Sequence, residues 1–360
     1  MKVMFACGGT GGHIYPAIAV ADALKKKYGT RAQLLFVGSD YGMEKSIIEK
    51  AGYAFKGVPA RPLVRKWTLK NISNLFFTIT AVIKAAEIVK KFAPDCVFGT
   101  GGFVSFPPLI AAALMGKKTV IHEPNAVPGI ANKLLAPFVT AVTVGMKETA
   151  AKFQKGKAVV TGNPVRASLL GSTRKKAAAK FGLKTGAKTL LIMPGSRAAK
   201  SVNAAVEASL PLFEKNMKGL QLIWMCGSEA FTRAKKIATK FKTLKIKPFE
   251  FIHNAADAYA MADAGVLRAG AGTLAEIIEL KFAAILVPYP YATAKHQEAN
   301  AKVLLAHGAA KVIQDSELTG ATLYAEVKEI MEKKNNSKIK LALAKMKKGD
   351  SVGNIIKVML

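Results

Sequence analysis

The chain has 360 residues, comfortable for two domains of ordinary size. Half of them are apolar and 21% are charged, which excludes a disordered or fibrous chain. A formal net charge of +31, mostly from lysine, fits nucleic acid, an anionic membrane surface or an anionic substrate as partner, and equally a host with lysine-rich proteins.

Strand-like "KVMFAC" runs directly into "GGTGGH" and a helix over Tyr15–Lys27, so no signal peptide is expected. "AQLLFVG" precedes a helix starting near Gly42. "DCVFGTGG" then leads into "PPLIAAALMG", "KTVIHEP" into "GIANKLLAPF", and "AVTVG" into "KETAAKF". These strands are unbroken apolar runs, as in parallel sheets buried on both faces, and their alternation with helices predicts right-handed βαβ units. "VVTGNPVR" closes the first half, and the pattern restarts at "TLLIMPGSRAAKSVNAAVEASL". It continues through "LQLIWMCG", "FEFIHN", "GVLRAGAGTLAEII" and "AAILVPYP" to a helical tail from about Thr322. The fold class is therefore α/β, with two Rossmann-like halves joined near Asn163 and facing a cleft. No apolar run reaches the ~18–20 residues of a membrane span. Cys7, Cys96 and Cys226 sit in strand-like runs and are expected to be buried free thiols.

Glycine-rich turns follow four of the strands: "GGTGGH" (8–13), "GTGGF" (99–103), "PGSR" (194–197) and "AGAGT" (269–273). Such turns let backbone N–H groups approach an anion at a helix start, where the dipole favours negative charge. Any one of them is explained equally by a tight turn; four at equivalent places point to a phosphate-bearing ligand. "GGTGGH" has neither the dinucleotide spacing nor the Gly-Lys-Ser/Thr of a P-loop. No Asp-x-Asp pair is present to hold a nucleotide-bound metal, so cations such as Arg166 must neutralise a bound diphosphate.

Of five histidines, His13 opens a helix, where the dipole disfavours the charged imidazole and leaves it able to take a proton. The alternative is a histidine that only hydrogen-bonds its own loop. His122 ends a strand in "VIHEPN" beside Glu123, His253 follows "FEFI", and His296 lies in "AKHQEANA". Glu276, one turn after Gly272-Thr273, suits a ribose diol, or else complements the helix dipole. Gln297 and Asn300 suit sugar hydroxyls or are plain surface amides. The segment 61–92 mixes Arg65, Lys66, Lys70 and Trp67 with an apolar helical stripe, reading as a core face or as a membrane-interface contact.

In order along residues 8–301, "GGTGGHIYPAIAVADAL", "FVGSDYGMEKSII", "GTGGFVSFP", "HEPNAVPGIANKLLA", "TGNPVR", "PGSRAAKSVN", "RAGAGTLAEI" and "HQEANA" resemble glycosyltransferase family 28, in particular its MurG-type peptidoglycan N-acetylglucosaminyltransferases. The resemblance implies a GT-B fold. Residues 1–163 would form the acceptor and membrane domain, 164–340 the UDP-GlcNAc domain, and a helix at about 341–360 would pack back on the first. It implies inverting transfer of GlcNAc from UDP-GlcNAc to undecaprenyl-diphospho-MurNAc-pentapeptide (lipid I), giving lipid II, with no metal and no cofactor. It also implies peripheral attachment to the anionic phospholipid surface on the cytoplasmic face of the inner membrane, contact with other cell-wall synthesis proteins, and no nucleic acid.

By the same resemblance Thr10, Gly11 and Gly12 lie beside the donor sugar or acceptor diphosphate, with His13 the favoured general base and Glu123 the alternative. Gly101, Gly102, Phe103 and His122 lie on the acceptor side, and Asn125 holds the donor N-acetylglucosamine. Arg166 and Ser196 bind donor phosphates, and Ile252 meets uracil through its backbone. Ala271, Gly272, Thr273, Leu274, Ala275 and Glu276 cradle diphosphate and ribose, and Gln297 recognises sugar hydroxyls. The chain departs from the family pattern at Phe103, Phe106 and His296, and in the looser "PGSRAAKSVN". Two rivals share the architecture: a diacylglycerol glycosyltransferase and a UDP-GlcNAc 2-epimerase.

Overall fold

A computed structural model describes residues 1–62, 70–195 and 199–360. They form two compact units, Met1–Arg166 with Lys348–Leu360, and Ala167–Lys347. In the first unit β1 (Lys2–Ala6), β2 (Gln33–Ser39), β3 (Ala54–Val58), β4 (Cys96–Gly99), β5 (Lys118–Glu123), β6 (Ala141–Val144) and β7 (Ala158–Val160) make one parallel sheet, ordered β3-β2-β1-β4-β5-β6-β7. Its helices are α1 (Gly11–Tyr28), α2 (Glu44–Lys50), α3 (Lys70–Phe92), α4 (Phe106–Leu114), α5 (Ile130–Leu135) and α6 (Lys147–Ala150).

Strand alternation sorts the core. Val3 and Phe5 of β1 join Ile14, Ile18 and Leu24 of α1 on one face, with Phe5 stacked on Phe36 at 4.7 Å between ring centroids. Met4 and Ala6 point to the other face, against Ala81, Ala85 and Val89 of α3, Leu109 of α4 and Leu135 of α5. Both faces are covered, which is why the strands read as unbroken apolar runs; each buried Val, Ile or Phe contributes about 1.5–3 kcal/mol.

The second unit repeats the plan. Strands β8 (Thr189–Met193), β9 (Gln221–Met225), β10 (Lys245–Phe249), β11 (Ala264–Leu267), β12 (Ala284–Leu286) and β13 (Lys311–Val312) form a parallel sheet ordered β10-β9-β8-β11-β12-β13. Helix α7 (Arg174–Phe181) precedes them, and between and after them run α8 (Lys200–Asn216), α9 (Ser228–Ala238), α10 (Ala255–Met261), α11 (Ala271–Leu280), α12 (His296–Ala306), α13 (Gly320–Ile330) and α14 (Lys333–Met346). The terminal helix α15 (Ser351–Met359) returns to the first unit, where Ile355, Ile356 and Met359 complete the core beneath α1.

Strand order reverses between β1 and β4 in one sheet and between β8 and β11 in the other. At such switch points the following loops diverge and open a crevice beyond the strands' carboxyl ends. The glycine-rich turns 8–13, 99–103 and 269–273 lie at these places, as does Gly195 after β8. The three cysteines are buried and free. Among the described residues no helix is long and apolar enough to cross a membrane.

Candidate active site

The first helix starts earlier than its apolar pattern suggests, at Gly11 rather than Tyr15. Thr10 is extended (φ −150°, ψ 158°), and its carbonyl accepts from the amides of His13 and Ile14. Gly11, Gly12 and His13 therefore form the first turn, which has no side-chain cap and no acidic residue. Beside it runs the loop after β4. Gly102 has φ +82°, and a Cβ there would stand 2.6 Å from the Gly8 carbonyl oxygen. Only glycine lets the two loops approach this closely. Phe103 lies against Gly9, at 3.6 Å from where a side chain there would begin.

Thr100 grips His13 twice. Its hydroxyl donates to the His13 carbonyl at 2.6 Å, and its own carbonyl lies 2.8 Å from His13 Nδ1. A carbonyl only accepts, so Nδ1 carries the proton and a neutral His13 has its lone pair on Nε2. That is the tautomer a general base needs. Thr100 is 87 residues away and was not among the expected site residues; no spacing in the sequence marks it.

Glu123 and His122 both turn inward. Glu123 is buried, and all four of its contacts are donors: the backbone and side-chain amides of Asn125 on Oε1, and Gly129 N and Asn132 Nδ2 on Oε2, at 2.8–3.1 Å. With both oxygens occupied it organises the loop 124–129. Asn125 is thereby held half-exposed in that loop. His122 is fully buried. Its Nε2 lies 2.9 Å from Asn163 Oδ1 and its Nδ1 3.0 Å from Thr143 Oγ1. Burial above all, together with nearby His13, lowers its pKa to about 4 despite the Asn163 bond.

The neutral ring makes stability pH-dependent. An unfolded histidine titrates near 6.5, so between 6.5 and about 4 the unfolded state binds a proton that the folded state does not. The first unit is expected to lose about 3 kcal/mol as pH falls through this window. Urea midpoints at pH 7 and pH 4 check this; His122→Asn should flatten the difference.

Asn132, which was not among the expected site residues, links these groups. Its amide also donates to the His122 carbonyl. A side chain at Gly101 would begin 3.2 Å from His13 Nδ1 and 3.5 Å from Asn132 Nδ2, so the bare glycine brings ring and amide over one spot. The run "GIANK" at a helix start was the available signal.

In the second unit, Gly195 after β8 has φ +93°, and Ser196 lies outside the described residues. After β11, Gly270 precedes α11, whose first turn also lacks a side-chain cap. Ala271, Gly272 and Thr273 reach the surface, whereas the side chains of Leu274 and Ala275 are buried. Glu276 Oε2 accepts from the Tyr259 hydroxyl at 2.9 Å. Burial, and Glu276 beside it, hold that hydroxyl well above its usual pKa, so Tyr259 remains a donor that orients the carboxylate.

The Ile252 amide donates to Met225 Sδ, a weak acceptor. Gln297 Oε1 accepts from Tyr289 N, which leaves its NH2 group as the donor end. Asn300 is fully buried and donates to the Ala269 carbonyl, so it braces the turn before α11 rather than meeting solvent. Arg268 braces the same turn, with Nη1 on the Val287 and Pro288 carbonyls and on Asp315. The first sheet thus presents an uncapped helix start beside a second loop at its switch point, and the second sheet an uncapped start at α11.

Residues 3–144 match the model of the glycosyltransferase family 28 N-terminal domain, and residues 189–357 that of its C-terminal domain. The chain belongs to glycosyltransferase family 28. As a family 28 glycosyltransferase it is 42% identical over 341 residues to the UDP-N-acetylglucosamine–N-acetylmuramyl-(pentapeptide) pyrophosphoryl-undecaprenol N-acetylglucosamine transferase of Halothermothrix orenii, covering 92% of this chain and 90% of that one. The transferase of the same name from Desulforamulus reducens is 38% identical, covering 99% and 97%. The crystal structure of Acinetobacter baumannii MurG superposes with a TM-score of 0.81 at 28% identity, covering 99% of this chain and 98% of that one. The family 28 chain therefore has the GT-B architecture. A UDP-GlcNAc 2-epimerase from Neisseria meningitidis, bound to UDP-GlcNAc, shares the fold at a TM-score of 0.69 and 14% identity, covering 99% of each chain.

Proposed function

We propose that this glycosyltransferase moves GlcNAc from UDP-GlcNAc to the C4 hydroxyl of MurNAc in lipid I, with inversion, giving lipid II. The reading rests on near-full-length similarity to transferases of that name, and the observation that carries the chemistry is the Thr100 clamp on His13. His13 Nε2 takes the proton as the acceptor oxygen attacks the anomeric carbon. UDP leaves, its growing charge met by helix N-termini and the Arg166 guanidinium without a metal. Glu276 receives the ribose hydroxyls, and the Gln297 amide donates to the sugar.

Transfer of labelled GlcNAc from UDP-GlcNAc to a lipid I analogue tests the reading, with EDTA expected to leave the rate unchanged. Transfer from UDP-galactose to diacylglycerol instead, or conversion of UDP-GlcNAc with no acceptor present, would replace it by one of the two rivals.

Membrane attachment on the cytoplasmic face belongs to the same proposal. Phe76, Ile79 and Ile83 of α3 share one helical face and are more than half exposed. α3 packs against α4 and α4 against α5, and both carry or adjoin further exposed apolar residues: Leu114, Met115, Ile130, Leu134 and Phe138. Lys117, Lys118 and Lys133 lie among them. Apolar side chains beside cations suit an anionic bilayer surface. Trp67 and its neighbours lie outside the described residues. The triple variant F76S/I79S/I83S is expected to lose about tenfold or more in sedimentation with phosphatidylglycerol vesicles, with transfer to a short-chain soluble acceptor unchanged.

A further inference from the structure

Tyr15 and Arg166, far apart in sequence, stack on each other in the first unit. The Arg166 guanidinium carbon lies 4.5 Å from the centre of the Tyr15 ring. The ring also lies against backbone: a side chain at Gly11 would begin 3.1 Å from Tyr15 Cε2. Tyr15 is 41% exposed and Arg166 is exposed as well, so the stack is open to solvent. The guanidinium enters no hydrogen bond or ion pair with any described residue.

An exposed arginine normally samples many rotamers, and fixing it on a ligand costs entropy. An aromatic face holds the guanidinium plane while leaving its N–H edges available, because the attraction acts through the face of the cation and not through its donors. Gly11 contributes by its lack of a side chain, which lets the ring settle on the first turn of α1.

We propose that Tyr15 is a positioning residue, a platform that holds the Arg166 guanidinium ready for a phosphate of the nucleotide donor. The inference rests on the reading that Arg166 binds the donor diphosphate. Tyr15 acts through the arginine and needs only its ring, not its hydroxyl.

The experiment is a double-mutant cycle on the full chain, read as affinity for UDP by calorimetry, with uridine as the probe that lacks phosphate. R166A is expected to weaken UDP about tenfold, as for loss of a charged hydrogen bond, and to leave uridine unchanged. Y15L is expected to weaken UDP about two- to fivefold, the range of an exposed cation–π contact, and Y15F to restore it. Y15L is expected to have no further effect in the R166A background. If R166A leaves UDP affinity unchanged, the diphosphate reading falls and the inference with it. If R166A weakens UDP and Y15L does not, only the role of Tyr15 falls. Additive losses in the double variant, equal losses of UDP and uridine in Y15L, or a Y15F variant as weak as Y15L would each also overturn that role.

Discussion

Replacing His13 by alanine is expected to lower turnover about 10²–10⁴-fold, the usual contribution of a general base, while UDP-GlcNAc affinity stays near the wild-type value. The bond from Nδ1 to the Thr100 carbonyl is worth about 1 kcal/mol, so its loss should leave the fold intact. Activity and stability are thus predicted to separate. Single-turnover transfer to a lipid I analogue, paired with donor titration, measures both. Parallel losses of turnover and donor binding would remove His13 from the role of base.

Glu123 should behave in the opposite way. Its carboxylate accepts four bonds from donors at fixed positions, so Glu123→Gln places an amide NH2 group against at least one pair of them. Isosteric replacement is therefore expected to do little better than Glu123→Ala. Either should cost the first unit about 3 kcal/mol, lowering its thermal transition by about 5–10 °C. Calorimetry resolves that transition. A Glu123→Gln variant of unchanged stability and collapsed turnover would restore Glu123 as a chemical participant.

The contrast between these two residues shows what could be read in the sequence. The doubly wound halves were legible because parallel strands buried on both faces leave apolar runs, such as "KVMFA" and "TLLIM", that end in glycine turns. His13 was legible because a histidine directly after such a turn must stand at a helix start. "VIHEPN" showed nothing of its partners, since a histidine beside a glutamate looks like chemistry whatever surrounds it. Here the partners are Thr143 and Asn163 for His122 and the loop 125–132 for Glu123, and they turn both side chains inward. Such partnerships join residues 21 and 41 positions apart and leave no periodic trace. Thr100, Tyr259 and Arg268 went unnoticed for the same reason: each orients another group, and the orientation exists only once the strands are side by side. The start of α1 was misplaced because glycines carry no apolar pattern, although Thr10 as the preceding residue allowed an earlier start.

The return of α15 to the first unit has a consequence for how the molecule is made. Ile355, Ile356 and Met359 share a core with Val3, Phe5 and Ile14 at the other end of the chain. During synthesis the first sheet leaves the ribosome with one face short of its cover, while the whole of Ala167–Lys347 is still to be translated. At ordinary elongation speeds that interval is about 10–40 s, long compared with the collapse of a domain. The second unit, contiguous in the chain, can close as soon as it emerges. The unit that begins first is finished last, and during the wait its uncovered apolar face must be kept from other nascent chains.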